Sequence, residues 1–338
     1  MSKVSHLICR AFVVAILSMA GGTIIHAASK SIDPFKQVKQ MKRGVNILGY
    51  DPIWKDFDKR RFQERHFKLI RKAGFQTVRI NLYGFDHMDS TGRLDGSFLT
   101  TLDWAVKNAL SNKLNVILDL HNYTDVAKDP AAYKSRFLVY WRQISERYKD
   151  SSNHVIFEIL NEPNGELTPQ LWNEYLHEAL AVIRETNPTR NIVIGPAYWN
   201  TIDHLKELEL PKDDRHIIVT VHYYTPMAFT HQGAPWSPET KDLSGVKWGT
   251  EAEKLVVVDD FARVQEWSKA NSRPILLGEF GAYDKADIES RVAYTSCVAR
   301  TAESFGWAWT YWQFDSDFIV YDIDKDQWNE PIRKALIP

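Results

Sequence analysis

Eight short runs rich in β-branched and aliphatic residues recur along the chain, each followed by a stretch with helical periodicity. This alternation constrains the fold more than any other feature of the sequence. The runs are Gly44–Leu48, Gln76–Asn81, Asn115–Leu120, Val155–Leu160, Asn191–Pro196, Ile217–His222, Pro274–Glu279 and Trp307–Trp312. Most are continuously apolar, as strands covered on both faces are. Between them lie amphipathic segments with helix punctuation. Residues 60–74 close on Gly74, a C-terminal stop, and Thr168-Pro169 supplies an N-cap and a first helical position. Strands alternating with helices imply right-handed βαβ units and a parallel sheet. Eight such units predict an α/β chain folded as one (β/α)8 TIM barrel rather than an open doubly wound sheet. No GxGxxG or P-loop follows the first run, which argues against nucleotide binding.

With 338 residues, 44% of them hydrophobic and 25% charged, the chain can bury a large core. A net charge of -1 gives no electrostatic footprint for nucleic acid. Lys3 and Arg10 flank the apolar run Ala11–Gly22, and small residues follow at Ala27 and Ala28. That pattern predicts a signal peptide over residues 1–28 and a barrel domain over 29–338, hence a secreted or periplasmic protein free of the membrane after cleavage. The alternative is a retained membrane anchor. Cys9 would leave with the signal, so the mature chain keeps the single thiol Cys297 and no internal disulfide. Cys297 falls in a helical pattern and reads as buried and inert. Asn122-Tyr-Thr124 is a formal glycosylation sequon that reads as a chance match. The segment 225–258, with Trp236 and Trp248, is long for a connection, and long loops at a barrel's C-terminal rim carry function.

Barrel chemistry sits where strands end. Glu162 follows the fourth run, Glu279 closes the seventh, and Glu158 lies inside the fourth. On an extended strand Glu158 and Glu162 would stand about 13 Å apart, at ~3.3 Å per residue. Carboxylates that share one glycosidic bond need roughly 5–5.5 Å for retention or 6.5–9.5 Å for inversion. Glu158 is therefore a poor partner for Glu162 and a better one for an inward arginine.

Asn161-Glu162-Pro163 and Gly278-Glu279-Phe280-Gly281 resemble the signatures of glycoside hydrolase family 5. So do Arg43-Gly44-Val45-Asn46, Arg79, His121-Asn122, His222-Tyr223-Tyr224 and Trp312, each at or in a strand and in the family's order. The segments His222–Trp236 and Arg273–Arg291 are similar to the endo-β-1,4-glucanase branch, some members of which also accept β-mannan. The resemblance implies a retaining double displacement with Glu162 as acid/base and Glu279 as nucleophile. It implies supporting or substrate-binding roles for Asn46, Arg79, His121, Asn122, Asn161, His222, Tyr224, Trp236 and Trp312. It further implies a monomer that needs no cofactor or metal and whose partner is a β-1,4-linked polysaccharide or oligosaccharide. Close members often carry two consecutive histidines where this chain has His121-Asn122, which bears on mannan acceptance.

The residues can also be weighed one by one. Arg79 points inward with Thr77 and Asn81 and needs an anionic partner; Glu279 is the best candidate and Asp119 a competitor. Tyr224 is placed to donate to Glu279. A metal reading would gather His121, His222, Asp119 and both glutamates, but no HxH pair follows the first run. Trp312, Trp236 and Trp54 are candidates to stack on sugars, whereas Trp104, Trp141, Trp172 and Trp267 in helices read as core. Nothing beyond the last helix, near Leu336, is expected to bind carbohydrate, so soluble or amorphous glucan is the expected substrate. The rival functions are a β-mannanase or dual enzyme, a glycan-binding barrel without catalysis, and a metal-dependent hydrolase.

Overall fold

The computed structural model describes residues 31–338, and the expected signal peptide lies outside them. Eight parallel strands form a closed barrel in chain order: β1 (Arg43–Ile47), β2 (Thr77–Leu82), β3 (Asn115–Leu120), β4 (Val155–Glu158), β5 (Ile192–Ile194), β6 (Ile217–Tyr223), β7 (Ile275–Phe280) and β8 (Ala308–Tyr311). β1 pairs with β8, Gly44 opposite Thr310, so no strand edge is left open. All eight expected strands are present, within a few residues of their expected bounds. β4 is shorter than expected, ending at Glu158 rather than Leu160, because the chain must turn there to bring Asn161 and Glu162 over the barrel mouth.

Side chains that point inward change character along the barrel axis. At the N-terminal end Ile117, Ile156, Val193, Ile218, Leu276 and Ala308 form an apolar layer, plugged by Val38 and Met41 of the helix Pro34–Met41. Two residues further along the same strand faces stand Asp119 and Glu158, both fully buried. Outside, helices cover the strands. Trp141 and Trp172 donate their indole N–H groups to Ile159 O and Gly195 O at 2.9 Å, tying helices to strand ends.

Two local features set up the site. β6 and β7 slip by one residue between Val221 and His222, so that His222 stands opposite Glu279. Such an irregularity re-aims a side chain. In the long segment after β6, the helix Glu251–Asn271 begins earlier than its apolar pattern suggests. Thr250 and Glu253 form a reciprocal capping box that starts it, while Leu255, Val256 and Val258 in its first turns are exposed and blur the periodicity. Cys297 is half-buried, less enclosed than its helical pattern suggests, and burial pushes its thiol pKa up. Among the described residues no helix is long and apolar enough to cross a membrane.

Candidate active site

Arg79 organises the barrel mouth. Its guanidinium is fully buried, and a buried charge must be paired. Nε and Nη2 donate to the two oxygens of Glu158 at 2.7 and 2.9 Å; Nη1 donates to Glu279 Oε1 at 2.7 Å. Asp119 Oδ2 lies 3.1 Å away. Sequence reasoning left Glu279 and Asp119 as competitors; the fork serves both, and Glu158 besides. Asn46 Oδ1 accepts from Nη1 and Asn161 Oδ1 from Nη2, each at 2.8 Å. Asn46 itself is fully buried, its amide donating to Gly278 O, Thr310 O and Tyr311 O. It holds β1, β7 and β8 together and cannot meet a substrate.

Glu279 takes a second donor on its other oxygen, the Tyr224 hydroxyl at 3.0 Å. Glu162 stands across from it. Its backbone adopts φ +42°, a left-handed conformation costing roughly 1–2 kcal/mol in a residue with a Cβ. Asn164 secures the turn by donating to Glu162 O at 2.7 Å. His222 lies between the two carboxylates, Nδ1 2.8 Å from Glu162 Oε1 and 3.7 Å from Glu279 Oε2. One ligand atom from each of the three residues falls within 4.8 Å of the others. A cation at that point would compete with Arg79 and Tyr224, which already occupy both oxygens of Glu279.

Electrostatics separate the groups by role. Burial raises the Glu162 pKa to about 7, against the opposing pull of His121 and Arg79. Burial lowers His222 to about 4, helped by Arg79 and opposed by Glu279. Asp119 is held below the usual carboxylate range: burial would raise it, but Arg79 and His121 outweigh that. At neutral pH His222 is therefore an uncharged imidazole and Glu162 retains a proton in a large share of molecules.

The remaining expected site residues divide. His121 donates or accepts through Nδ1 with Asp119 at 2.6 Å, and its ring lies nearly parallel to Trp312, centroids 5.6 Å apart. Tyr50 meets Trp312 edge-on at 6.3 Å. Trp236 is 49% exposed and braced by Tyr283 and Phe318, so its ring is free to meet a ligand. Asn122 is not. Its carbonyl oxygen accepts from Phe85 N and its amide bridges Asp86 and Asp125, which fixes the loops after β2 and β3. That burial also argues against glycosylation there. Trp54 is likewise a core residue: it is only 9% exposed, packs on Phe98 and donates to Leu48 O at 2.7 Å.

Sequence reasoning missed Trp199 and Asn200. After β5, Tyr198, Trp199 and Asn200 adopt three successive left-handed conformations, which projects Trp199 into solvent, 49% exposed. Trp199 N donates to Pro163 O at 3.1 Å, joining this turn to the Glu162 turn. The only signal was the aromatic pair in Ala197–Asn200 just past a strand end.

The family model for cellulase (glycosyl hydrolase family 5) matches residues 38–317. The chain belongs to glycosyl hydrolase family 5. Endoglucanase H of Acetivibrio thermocellus is 32% identical over 323 residues, covering 92% of this chain and 34% of that protein; the chain thus spans about a third of the length of that relative. Among solved structures, Thermotoga maritima Cel5A in complex with cellobiose superposes with TM-score 0.86 at 41% identity, covering 90% of this chain and all of that one. The same Cel5A in complex with mannotriose matches equally well.

Proposed function

We propose that this chain is an exported endo-β-1,4-glucanase acting by retaining double displacement, with Glu162 as acid/base and Glu279 as nucleophile. The observation that carries this reading is the facing pair itself. Glu162 and Glu279 each bring one oxygen to within 4.8 Å of the other beside His222, a close approach that suits the roughly 5–5.5 Å carboxyl spacing of a retaining pair better than the 6.5–9.5 Å of an inverting one. Their environments differ as the two roles require. Burial raises the Glu162 pKa to about 7, so near neutrality it holds its proton in a large share of molecules. Both oxygens of Glu279 accept hydrogen bonds, one from a guanidinium and one from a phenol.

In the first step Glu279 attacks the anomeric carbon while Glu162 passes its proton to the leaving glycosidic oxygen. A glycosyl ester on Glu279 results. In the second step Glu162 takes a proton from water, whose oxygen attacks the same carbon and frees Glu279. We assign Asn161, whose Oδ1 accepts from Arg79, to the sugar 2-hydroxyl, a contact that strengthens in the transition state. Trp236, half exposed at the rim, offers a rigid face for a pyranose ring along the cleft, whereas Trp312 is only 8% exposed and stacked on His121, so it presents no more than a small part of its ring. The N-terminal pattern of residues 1–28 supports export, and the monomeric state is part of the same proposal.

A second substrate class, mannan or glucomannan, is favoured by one observation: a relative 41% identical takes both cellobiose and mannotriose. The test is reducing-sugar release from carboxymethylcellulose, barley β-glucan and glucomannan, with EDTA present, beside Glu279→Ala. Activity that survives the chelator and vanishes in the variant supports the proposal. Wild-type rates in Glu279→Ala would refute the nucleophile, and loss of activity in EDTA would revive the metal-dependent reading. A silent wild type that still bound these glycans would point to a binding barrel.

A further inference from the structure

Asn200 carries a contact that the proposed reaction does not yet use. It is fully buried, and its Nδ2 lies 3.3 Å from His222 Nε2, the ring nitrogen facing away from the carboxylates. The contact exists because two neighbours lack side chains. A Cβ on Gly195 would fall 2.2 Å from Asn200 Oδ1, and one on Gly278 would fall 3.0 Å from His222 Nε2. The left-handed backbone of Asn200 suits an asparagine, which tolerates it better than other residues with a Cβ.

We propose that Asn200 is a positioning residue that holds His222 in the Nδ1–H tautomer, so that His222 donates to Glu162 Oε1 and leaves the acid proton of Glu162 on Oε2, toward the substrate. The inference rests on the acid/base reading of Glu162.

Two arguments fix the direction of the bond. First, Asn200 Oδ1 has no hydrogen-bond partner among the described residues. Turning the amide over would strand its NH2 instead, and buried orphan N–H groups are rarer than under-satisfied carbonyl oxygens. With Nδ2 as donor, Nε2 must be the lone-pair nitrogen. Second, Nδ1 faces two carboxylates, Glu162 at 2.8 Å and Glu279 at 3.7 Å. A hydrogen there meets acceptors on both sides; a lone pair would meet the lone pairs of Glu279 and would draw the Glu162 proton onto the histidine. The other charged or titratable groups acting on His222 are Arg79 from β2, Asp119 from β3 and His121 just beyond β3. Among the described residues none of them hydrogen-bonds Nε2, whereas Asn200 does, so Asn200 is the group that sets this nitrogen.

The turn carrying Asn200 is also bound to the acid's own turn, through Trp199 N to Pro163 O. One left-handed segment therefore addresses Glu162 twice, through backbone and through tautomer.

The experiment combines 15N NMR of histidine-labelled protein with kcat/KM for two substrates, a cellooligosaccharide and a dinitrophenyl cellobioside whose leaving group needs no proton. The variants are Asn200→Asp, which puts an acceptor against Nε2, and Asn200→Gly, which keeps the backbone conformation and removes the amide. Wild-type His222 is expected as the Nδ1–H tautomer, and Asn200→Asp is expected to place a proton on Nε2. In that variant kcat/KM for the cellooligosaccharide should fall about tenfold or more, a part of the roughly 10²–10⁴-fold that general-acid catalysis supplies, while the activated substrate loses several-fold less. Asn200→Gly should show the same split more weakly. An Nε2–H tautomer in the wild type overturns the proposal. So does an unchanged tautomer in folded Asn200→Asp, or an equal loss on both substrates. Glu162→Gln is measured beside them: if it lacks the leaving-group split, the acid/base reading of Glu162 has failed, while the tautomer data still decide the Asn200–His222 contact.

Discussion

Arg79 meets Glu158 through two hydrogen bonds, at 2.7 and 2.9 Å, and the same guanidinium holds Glu279 at 2.7 Å. A glutamate inside a strand thus fixes the direction of an arginine, and the arginine fixes the nucleophile. Only a planar, permanently charged fork can serve these partners together. Arg79→Lys is expected to fold but to lower kcat by about 10²-fold, the scale of a misplacement near 1 Å. Steady-state kinetics with a thermal melt separate this from unfolding; unchanged kcat would mean that Glu279 needs no such anchor.

The two glutamates of the fourth strand and its turn should fail differently. Glu158→Ala leaves a buried guanidinium short of a partner and should cost about 3–5 kcal/mol of stability. Glu162→Gln removes only a proton donor, and should keep the melting temperature while lowering kcat/KM on unactivated glucan by about 10²-fold or more. Denaturant melts and kinetics on both variants check the contrast.

A pH profile follows from the buried pair Glu162 and His222. The catalytic form of Glu162 is protonated, so kcat/KM should decline as pH rises through about 7. Stability has two opposing slopes. Glu162, raised from 4.5, binds a proton more tightly when folded, so its contribution is present below pH 4.5 and is lost as pH climbs to about 7. His222, lowered from 6.5, resists protonation when folded, so its contribution is present above 6.5 and is lost as pH falls toward 4. Melting temperatures between pH 4 and 8 and a pH–rate profile test both signs.

Exposed and buried tryptophans give a third contrast. Trp199→Ala and Trp236→Ala should raise KM for long glucan chains with little effect on stability, because both rings stand free at the rim. Trp54→Ala should leave KM alone and cost about 3–5 kcal/mol, as loss of a large buried ring does.

These predictions rest on residues that were unequally visible in the sequence. The strands, the carboxylates at their ends and the buried role of Glu158 could be read because apolar runs and strand-end polar residues follow from barrel geometry. Arg79 was legible as an inward cation with Glu279, Asp119 and Glu158 as candidate partners, yet that one fork serves all three at once was not, since they come together only when β2, β3, β4 and β7 close around it. Asn122 and Trp54 took structural places for a related reason: Asn122 holds Phe85 and Asp86, and Trp54 packs on Phe98, all distant in sequence. Trp199 and Asn200 were invisible because nothing in the string Tyr-Trp-Asn announces three left-handed residues. The early start of the helix at Glu251 was hidden by exposed Leu255, Val256 and Val258, although the Thr250 and Glu253 capping pair was there to be found.

The central claim is that Glu279 forms a covalent bond to the sugar. It is tested most directly by incubating the protein with a 2-deoxy-2-fluoro-cellobioside carrying a good leaving group, then mapping the labelled peptide by mass spectrometry. One fluorosugar on Glu279, released slowly with retained anomeric configuration, is the predicted result. A label on another residue, or no label together with a product of inverted configuration from the natural glycan, would contradict it.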